Sequence, residues 1–457
     1  MTLTTSVKAS HIEFSDKFSP GKLYLRKIIH PITKELLDVG LVVWFQAPRS
    51  FTGEDVVELH LHGSLAVLRG TLEALDSLNK QHSHTIFEDR TAHVLFRLAH
   101  AGEFTRRAFE NGKFDLTAVE GLADLLNAET GAQRRLALRH TQGEVGDLYV
   151  KWRKELISAR ARIEAVIDFG DDEEVDPKAL EQAIHNVSKI VSDLSRHMSD
   201  ARRGEVLMSG IKVALLGAPN AGKSSLLNRM SVILLLFPPL PGTTRDVVTG
   251  KIDLGGMPLV LLDTAGIHDA SNDLIEKEGI RRSLALGEQV DVRVLVLDGI
   301  LLSSTQELPS DLLPLLSSGD SLLVIAVNKC ENLSQAQVQA IQSLLPREAS
   351  VCSFISCLSG KGLEEFICDL TKELSARFES PCEEPAAITQ ARHRHHLQET
   401  SRQLGIFMDI MVSGHGGDLV LAAEHLRIAA LSLGRITGHI DVEEVLDALF
   451  REFCIGK

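Results

Sequence analysis

One stretch of the chain has residue types at a spacing that prescribes a chemistry: Gly217-Ala218-Pro219-Asn220-Ala221-Gly222-Lys223-Ser224, which fits G-x-x-x-x-G-K-[ST]. Glycines let consecutive backbone N–H groups turn toward a bound anion, and the start of a helix adds partial positive charge. In such a loop Lys223 reaches the β- and γ-phosphates of a nucleoside triphosphate, and the Ser224 hydroxyl binds Mg²⁺. The flanks give the pattern its meaning. Val213-Ala214-Leu215-Leu216 reads as a buried strand, and Ser225-Leu226-Leu227-Asn228-Arg229 as the beginning of a helix. The bland alternative is a glycine-rich turn with an incidental Lys-Ser pair, and the strand before it weighs against that.

Further signals follow in order. Pro241-Gly242-Thr243-Thr244-Arg245-Asp246 suits a switch loop in which Thr244 is a second Mg²⁺ ligand, in place only with γ-phosphate bound. Leu259-Val260-Leu261-Leu262 reads as a strand ending in Asp263-Thr264-Ala265-Gly266, where Asp263 orients the Mg²⁺ shell and the Gly266 N–H faces the γ-phosphate. Val294-Leu295-Val296-Leu297-Asp298 and Leu322-Leu323-Val324-Ile325-Ala326-Val327 do not alternate, as expected of buried parallel strands. The second leads into Asn328-Lys329-Cys330-Glu331, and Ser356-Cys357-Leu358 closes the set. In this order the motifs resemble a GTPase G domain. The expected GTP contacts are Asn220, Ala221, Gly222, Lys223, Ser224, Ser225, Thr243, Thr244, Asp263, Thr264, Ala265, Gly266, Asn328, Lys329, Glu331, Ser356, Cys357 and Leu358. That resemblance implies an Asp where Glu331 stands, forked onto guanine N1–H and its 2-amino group. Glu331 keeps the carboxylate and is one methylene longer.

The elements that must position these residues occupy 457 residues, enough for several domains. With 44% apolar and 24% charged residues the composition is ordinary for a globular protein. A net charge of −14 excludes a chain-wide nonspecific nucleic-acid binder, so RNA contacts would need local basic patches or a partner. The six cysteines include no C-x-x-C pair, which disfavours a zinc site and fits a reducing compartment. No apolar run is long enough for a membrane span, and no targeting peptide is visible at the N-terminus.

Leu41–Phe45 and 56–61 read as strands, the latter with Glu58 and His60 on one face, either solvated or as ligands. Helical spacing begins at Leu65, and the His-rich core of 77–98 reads as a loop. From 116 to 210 the chain reads as helical, broken by an acidic turn at 168–174 that is either solvated or metal-binding, with a second helix over about 177–203. The pairs Arg134/Arg135, Arg160/Arg162 and Arg202/Arg203 read as exposed helix faces or RNA patches. Residues 381–387 read as a linker. The run Arg392-His393-Arg394-His395-His396 beyond it reads as an exposed helix face or an RNA contact.

Together SFTGEDVVELHLHG, AGEFTRRAFENGKFDL, AVEGLADLLNAET, GAPNAGKSS, PGTTRD, DTAG and the terminal FCIGK resemble the MnmE/TrmE family of tRNA-modification GTPases over about residues 41–457. AETGAQRRLALR and IDFGDDEE are most similar to its animal mitochondrial branch. The resemblance implies an α/β + α fold: an α+β tetrahydrofolate-binding and dimerisation domain (1–115), a helical domain in two segments (116–210 and 379–457), and a P-loop G domain with a mostly parallel sheet inserted between them (211–378). It implies a homodimer, an FAD-dependent partner of the MnmG/GidA type, tRNA as substrate, and a 5-formyl- or 5,10-methylene-tetrahydrofolate as one-carbon donor for C5 modification of the wobble uridine, taurinomethyl in mitochondria. Matching the folate site gives Glu58, Lys113 and Lys457, with Cys454 nearby. The family's R-x-S-G arginine has no counterpart in residues 1–40. Matching the K⁺ site gives Asn220, with Pro238, Leu240 and Thr243 from a switch loop that is unusually apolar here, and the water-positioning acid falls on Glu276 with one residue inserted. The implied location is the mitochondrial matrix, or a bacterial cytoplasm on the other branch. The competing expectations are an RNA- or ribosome-associated switch GTPase of the Era/Der kind and a catalytically impaired scaffold.

Overall fold

The computed structural model describes residues 2–6, 18–82, 96–169, 178–199, 201–218, 220–234, 249–262, 290–309, 316, 321–346, 349–379, 387–412, 418–440 and 449–450. The chain falls into two compact units. Met1–Ala123, His140–Ile157 and Ala430–Lys457 form one, and Asp124–Arg139 with Ser158–Ala429 the other.

The first unit holds an antiparallel sheet of β1 (Thr2–Ser6), β2 (Tyr24–Ile29), β3 (Leu36–Phe45) and β4 (Val56–His60), in the order β1-β4-β3-β2. Helix α1 (Leu65–His82) packs on β3. It reaches the edge of the His-rich stretch, because apolar spacing persists through Leu75 and Leu78. The remainder of that stretch, 83–95, lies outside the described residues. Helix α2 (Glu103–Glu110) starts at Gly102, whose φ of 70° and whose approach to Phe450, 2.8 Å from an added Cβ, both exclude a side chain.

Helical character from residue 116 onward is divided by local signals. Asp115 accepts the Ala118 N–H at 2.8 Å and opens α3 (Leu116–Asn127), whose Leu116 and Val119 are fully buried with Phe450. Thr130 and Gln133 form the reciprocal cap of α4 (Gly131–Thr141): the Gln133 carboxamide oxygen accepts the Thr130 N–H, and the Thr130 hydroxyl accepts the Gln133 N–H. Gly143, at φ 85°, makes the turn into α5 (Glu144–Phe169), which buries Tyr149, Trp152, Leu156 and Ile163. The expected second helix is described as α6 (Ala179–Ser199) and α7 (Ala201–Ser209), on either side of residue 200, which lies outside the described residues.

The second unit contains β5 (Ile211–Leu216), α8 (Lys223–Leu234), β6 (Thr249–Leu254), β7 (Met257–Leu262), β8 (Val292–Asp298), α9 (Gly299–Thr305), β9 (Leu322–Asn328), α10 (Gln335–Leu344), β10 (Val351–Phe354) and α11 (Leu363–Phe378). Its sheet has the order β10-β9-β8-β5-β7-β6, parallel except for the β6–β7 pair. All seven residues of β9 are buried, which explains the absence of alternation in its sequence.

The chain returns through α12 (Ala391–Val412), packed on α6, and continues in α13 (Leu419–Thr437). His393 departs from the exposed-face expectation. It is completely buried, because it shares the three-to-four stripe of Leu397, Thr400, Leu404 and Phe407. Of the basic pairs, Arg135 is bonded to Glu379, Arg160 lies 2.6 Å from Glu164, and Arg202 lies 3.9 Å from Asp291.

Candidate functional site

At the carboxyl end of β5 the phosphate loop is shaped by close backbone approach. Gly217 has φ 144°, and an added Cβ would lie 2.2 Å from the Val296 carbonyl oxygen. Gly222 has φ 102°, and its added Cβ would lie 2.1 Å from the Asn328 side-chain nitrogen. Only glycine fits either position. Asn220 turns through a left-handed φ of 61°. Lys223 opens α8 and folds back, its ammonium donating to the Gly217 and Ala218 carbonyls at 2.8 and 2.9 Å. Burial lowers its pKa from the usual value. Ser224 and Ser225 follow in the first helical turn, both exposed. An anion placed in this loop meets the N-terminus of α8 and a lysine already aimed across the turn.

The end of β9 brings the second set of residues to the same place. The buried Asn328 carboxamide donates to the Ala221 carbonyl at 2.9 Å and accepts the Cys357 N–H at 3.0 Å. It therefore bonds the phosphate loop to the 356–358 loop. Lys329 follows at φ 64°, its ammonium 2.7 Å from Asp298. The same carboxylate caps α9 through the Ile300 and Leu301 N–H groups at 3.0 and 3.3 Å. Burial opposes ionisation of Asp298, but the Lys329 ammonium and the two N–H groups outweigh it and hold the carboxyl below its usual range. Glu331 is exposed in a short 3₁₀ turn, Cys330–Asn332.

The loop after β10 is equally constrained. The Ser356 hydroxyl accepts the Ser359 N–H at 3.1 Å, and the Ser356 carbonyl accepts the Gly360 N–H at 2.8 Å. Arg229 of α8 donates to the Cys357 and Leu358 carbonyls, 2.9 Å each. Burial pushes the Cys330 thiol up to about 11 and the Cys357 thiol upward, so both are neutral near pH 7.

Thus Asn220, Ala221, Gly222, Lys223, Ser224, Ser225, Asn328, Lys329, Glu331, Ser356, Cys357 and Leu358 are carried by the phosphate loop with the start of α8, the end of β9 and the loop after β10, three segments cross-bonded by Asn328 and Arg229. Pro238, Leu240, Thr243, Thr244, Asp263, Thr264, Ala265, Gly266, Glu276 and Lys457 lie outside the described residues. Sequence reasoning missed Arg229 and Asp298 as parts of this site. Asp298 had a signal, as the acidic residue between a strand and a Gly-Ile-Leu helix start; Arg229 had none.

In the other unit, two distant motifs meet. A Cβ at Gly53 would lie 3.0 Å from the Asn111 Cβ and 3.5 Å from the Lys113 Cγ. Asn111 donates to the Thr52 carbonyl at 2.9 Å, and Arg107 pairs with Glu54 at 3.2 Å. The Lys113 ammonium donates to the Pro48 carbonyl at 2.9 Å. Glu58, on β4, lies 3.2 Å from the Nε2 of His60, on the shared strand face.

The family model of the MnmE helical domain matches residues 116–454, and that of the GTP-binding protein TrmE N-terminus matches residues 3–113. The mitochondrial 5-taurinomethyluridine-[tRNA] synthase subunit GTPB3 of Danio rerio is 43% identical, with 96% of this chain and 86% of the relative covered. Its Homo sapiens counterpart is 42% identical, with 95% and 84% covered. The tRNA modification GTPase MnmE of Rickettsia akari is 39% identical, with 96% and 92% covered.

Proposed function

The chain belongs to the MnmE/TrmE family of tRNA-modification GTPases, and from that premise we propose that it hydrolyses GTP within the machinery that modifies C5 of the tRNA wobble uridine. The observation that carries the reading is the Asn328 carboxamide, bonded at once to the phosphate loop and to the 356–358 loop. A base and a triphosphate held on those two loops belong to one nucleotide.

In this reading Lys223 and the loop N–H groups hold the β- and γ-phosphates. Ser224 and Thr244 hold Mg²⁺, Asp263 orients its shell, and Glu276 positions the attacking water. Ser224 suits that role because it is exposed and adjacent to Lys223 at the start of α8. Held there, Mg²⁺ would supply charge neutralisation for the phosphates. Asn220 and the Pro238, Leu240 and Thr243 carbonyls hold K⁺, which supplies the positive charge that an arginine finger gives other GTPases. Asn220 supports this as an exposed residue in a left-handed turn that carries a short side-chain carbonyl.

Glu58, Lys113 and Lys457 hold a formyl- or methylene-tetrahydrofolate, a carboxylate and two cations suiting a ring with N–H donors and an acidic tail. The folate supplies the one-carbon unit. An FAD-dependent partner of the MnmG/GidA type, a second copy joined through the N-terminal domain, and a mitochondrial matrix location complete the proposal. The relatives named GTPB3 favour taurinomethyluridine as the product.

Phosphate release by the full chain in K⁺ and in Na⁺ tests the reading. GTP turnover is expected to be at least about tenfold faster in K⁺, and Glu276→Ala to lose about a hundredfold. Equal, near-zero rates in both salts would overturn hydrolysis as the function. A fully active Glu276→Ala would move the water-positioning role elsewhere.

A further inference from the structure

We infer that Arg229 is a positioning residue for base recognition: from the phosphate-loop helix it aims the Leu358 N–H at the 6-oxo group of the purine. The inference deepens the guanine-nucleotide reading and rests on it. Its basis is the planarity of one peptide. The Cys357 carbonyl and the Leu358 N–H are the two ends of a single trans unit and point in opposite directions. Arg229 takes the Cys357 carbonyl through Nε and the Leu358 carbonyl through a terminal nitrogen, both at 2.9 Å. With the carbonyl held toward α8, the Leu358 N–H must point away from α8. The preceding peptide is committed at both ends: the Cys357 N–H goes to Asn328, and the Ser356 carbonyl accepts the Gly360 N–H. Among the described residues the Leu358 N–H has no partner, so it is the donor this loop offers to a ligand. Leu358 is 78% exposed, so packing into a core does not fix the loop there. The two guanidinium bonds do.

Arg229 lies on the helix that begins with Lys223. The selectivity of the base loop is thereby referred to the phosphate-binding helix, 128 residues away in sequence. This matters more with Glu331 in place of the shorter acid, because a longer carboxylate defines the base position less sharply and the 6-oxo contact carries more of the discrimination.

Equilibrium binding to the full chain tests this with GDP and inosine diphosphate (6-oxo), ADP (6-amino) and inorganic tripolyphosphate (no base). Arg229→Ala is expected to weaken GDP and inosine diphosphate about tenfold, with ADP and tripolyphosphate held within about twofold. Arg229→Lys, which keeps the charge and loses the fork, is expected to fall between. An Arg229→Ala variant that binds GDP like a guanine-selective wild type overturns this assignment alone. So does one that loses tripolyphosphate and GDP equally, since that is damage to the helix rather than to base reading. A wild-type chain that binds ADP as tightly as GDP overturns both this assignment and the guanine-nucleotide reading.

Discussion

The loops proposed to hold the base and the Glu58–Lys113 region of the N-terminal unit are both built from short polar motifs, but they are held in different ways. Around Asn328 the bonds join residues far apart in the chain: to Ala221 across 107 positions, to Cys357 across 29, and from Arg229 to Cys357 across 128. Each of these bonded ends has a protein partner, and the two bonds of Asn328 are buried, so the geometry there is fixed by the fold. Around Glu58 the partner is His60, two residues along the same strand, and both side chains are partly exposed. Lys113 is bonded to a single backbone carbonyl. The first region is preorganised, so residues that bond its loops to one another control it. The second leaves its charged groups to be organised by whatever binds, so each acts locally.

The largest test of that contrast is Asn328→Ala. It leaves the Ala221 carbonyl and the Cys357 N–H unpaired in a buried place, at about 1–3 kcal/mol for each such group. GDP affinity is expected to fall about a hundredfold, together with a lowered melting temperature, measured by calorimetric titration and thermal unfolding of the same samples. Loss of affinity without loss of stability would break the comparison, because Asn328 would then act through the ligand alone and not through the fold.

What the sequence disclosed follows the same division. Glycines 217 and 222, Lys223 and the Asn328-Lys329 pair are legible because their spacing is local and their chemistry is unusual for an ordinary turn. The unalternating strands disclosed the parallel sheet for the same reason. Arg229 is not legible, since its partners are brought to it only by closure of the sheet and nothing beside it in sequence marks it. His393 was obscured by its neighbours: a run of Arg and His looks solvated by composition, while the spacing to Leu397 and Leu404 determines which member faces inward. The divisions between α3, α4 and α5 were present as Thr130…Gln133 and Gly143, but as single-residue signals inside a long apolar pattern.

A smaller effect is expected at Asp298, one step removed from the base. Its carboxyl is held below the usual value near 3.9. The lowered folded value means that its contribution is complete above about pH 4 and is lost as pH falls through the folded value. Asp298→Asn keeps the cap of α9 in part and removes the negative charge that pairs with Lys329. The gap in unfolding free energy between wild type and variant is therefore expected to be constant near neutrality and to close below about pH 4. A gap that stays open in acid would show that the cap, and not the ion pair with Lys329, is what Asp298 contributes.

The smallest effect on stability is expected at Glu58. Removing its charge in Glu58→Gln breaks a partly exposed contact with His60, worth about 0–1 kcal/mol, and strands no buried atom. Thermal unfolding is expected to change little, while binding of 5-formyl-tetrahydrofolate falls about tenfold, the loss anticipated for one charge-assisted hydrogen bond. The two readouts separate because a locally held group contributes to the ligand and hardly to the fold. If Glu58→Gln unfolds as readily as Asn328→Ala, the N-terminal site is as strongly prebuilt as the base site, and the His60 contact belongs to a buried network and not to an open strand face.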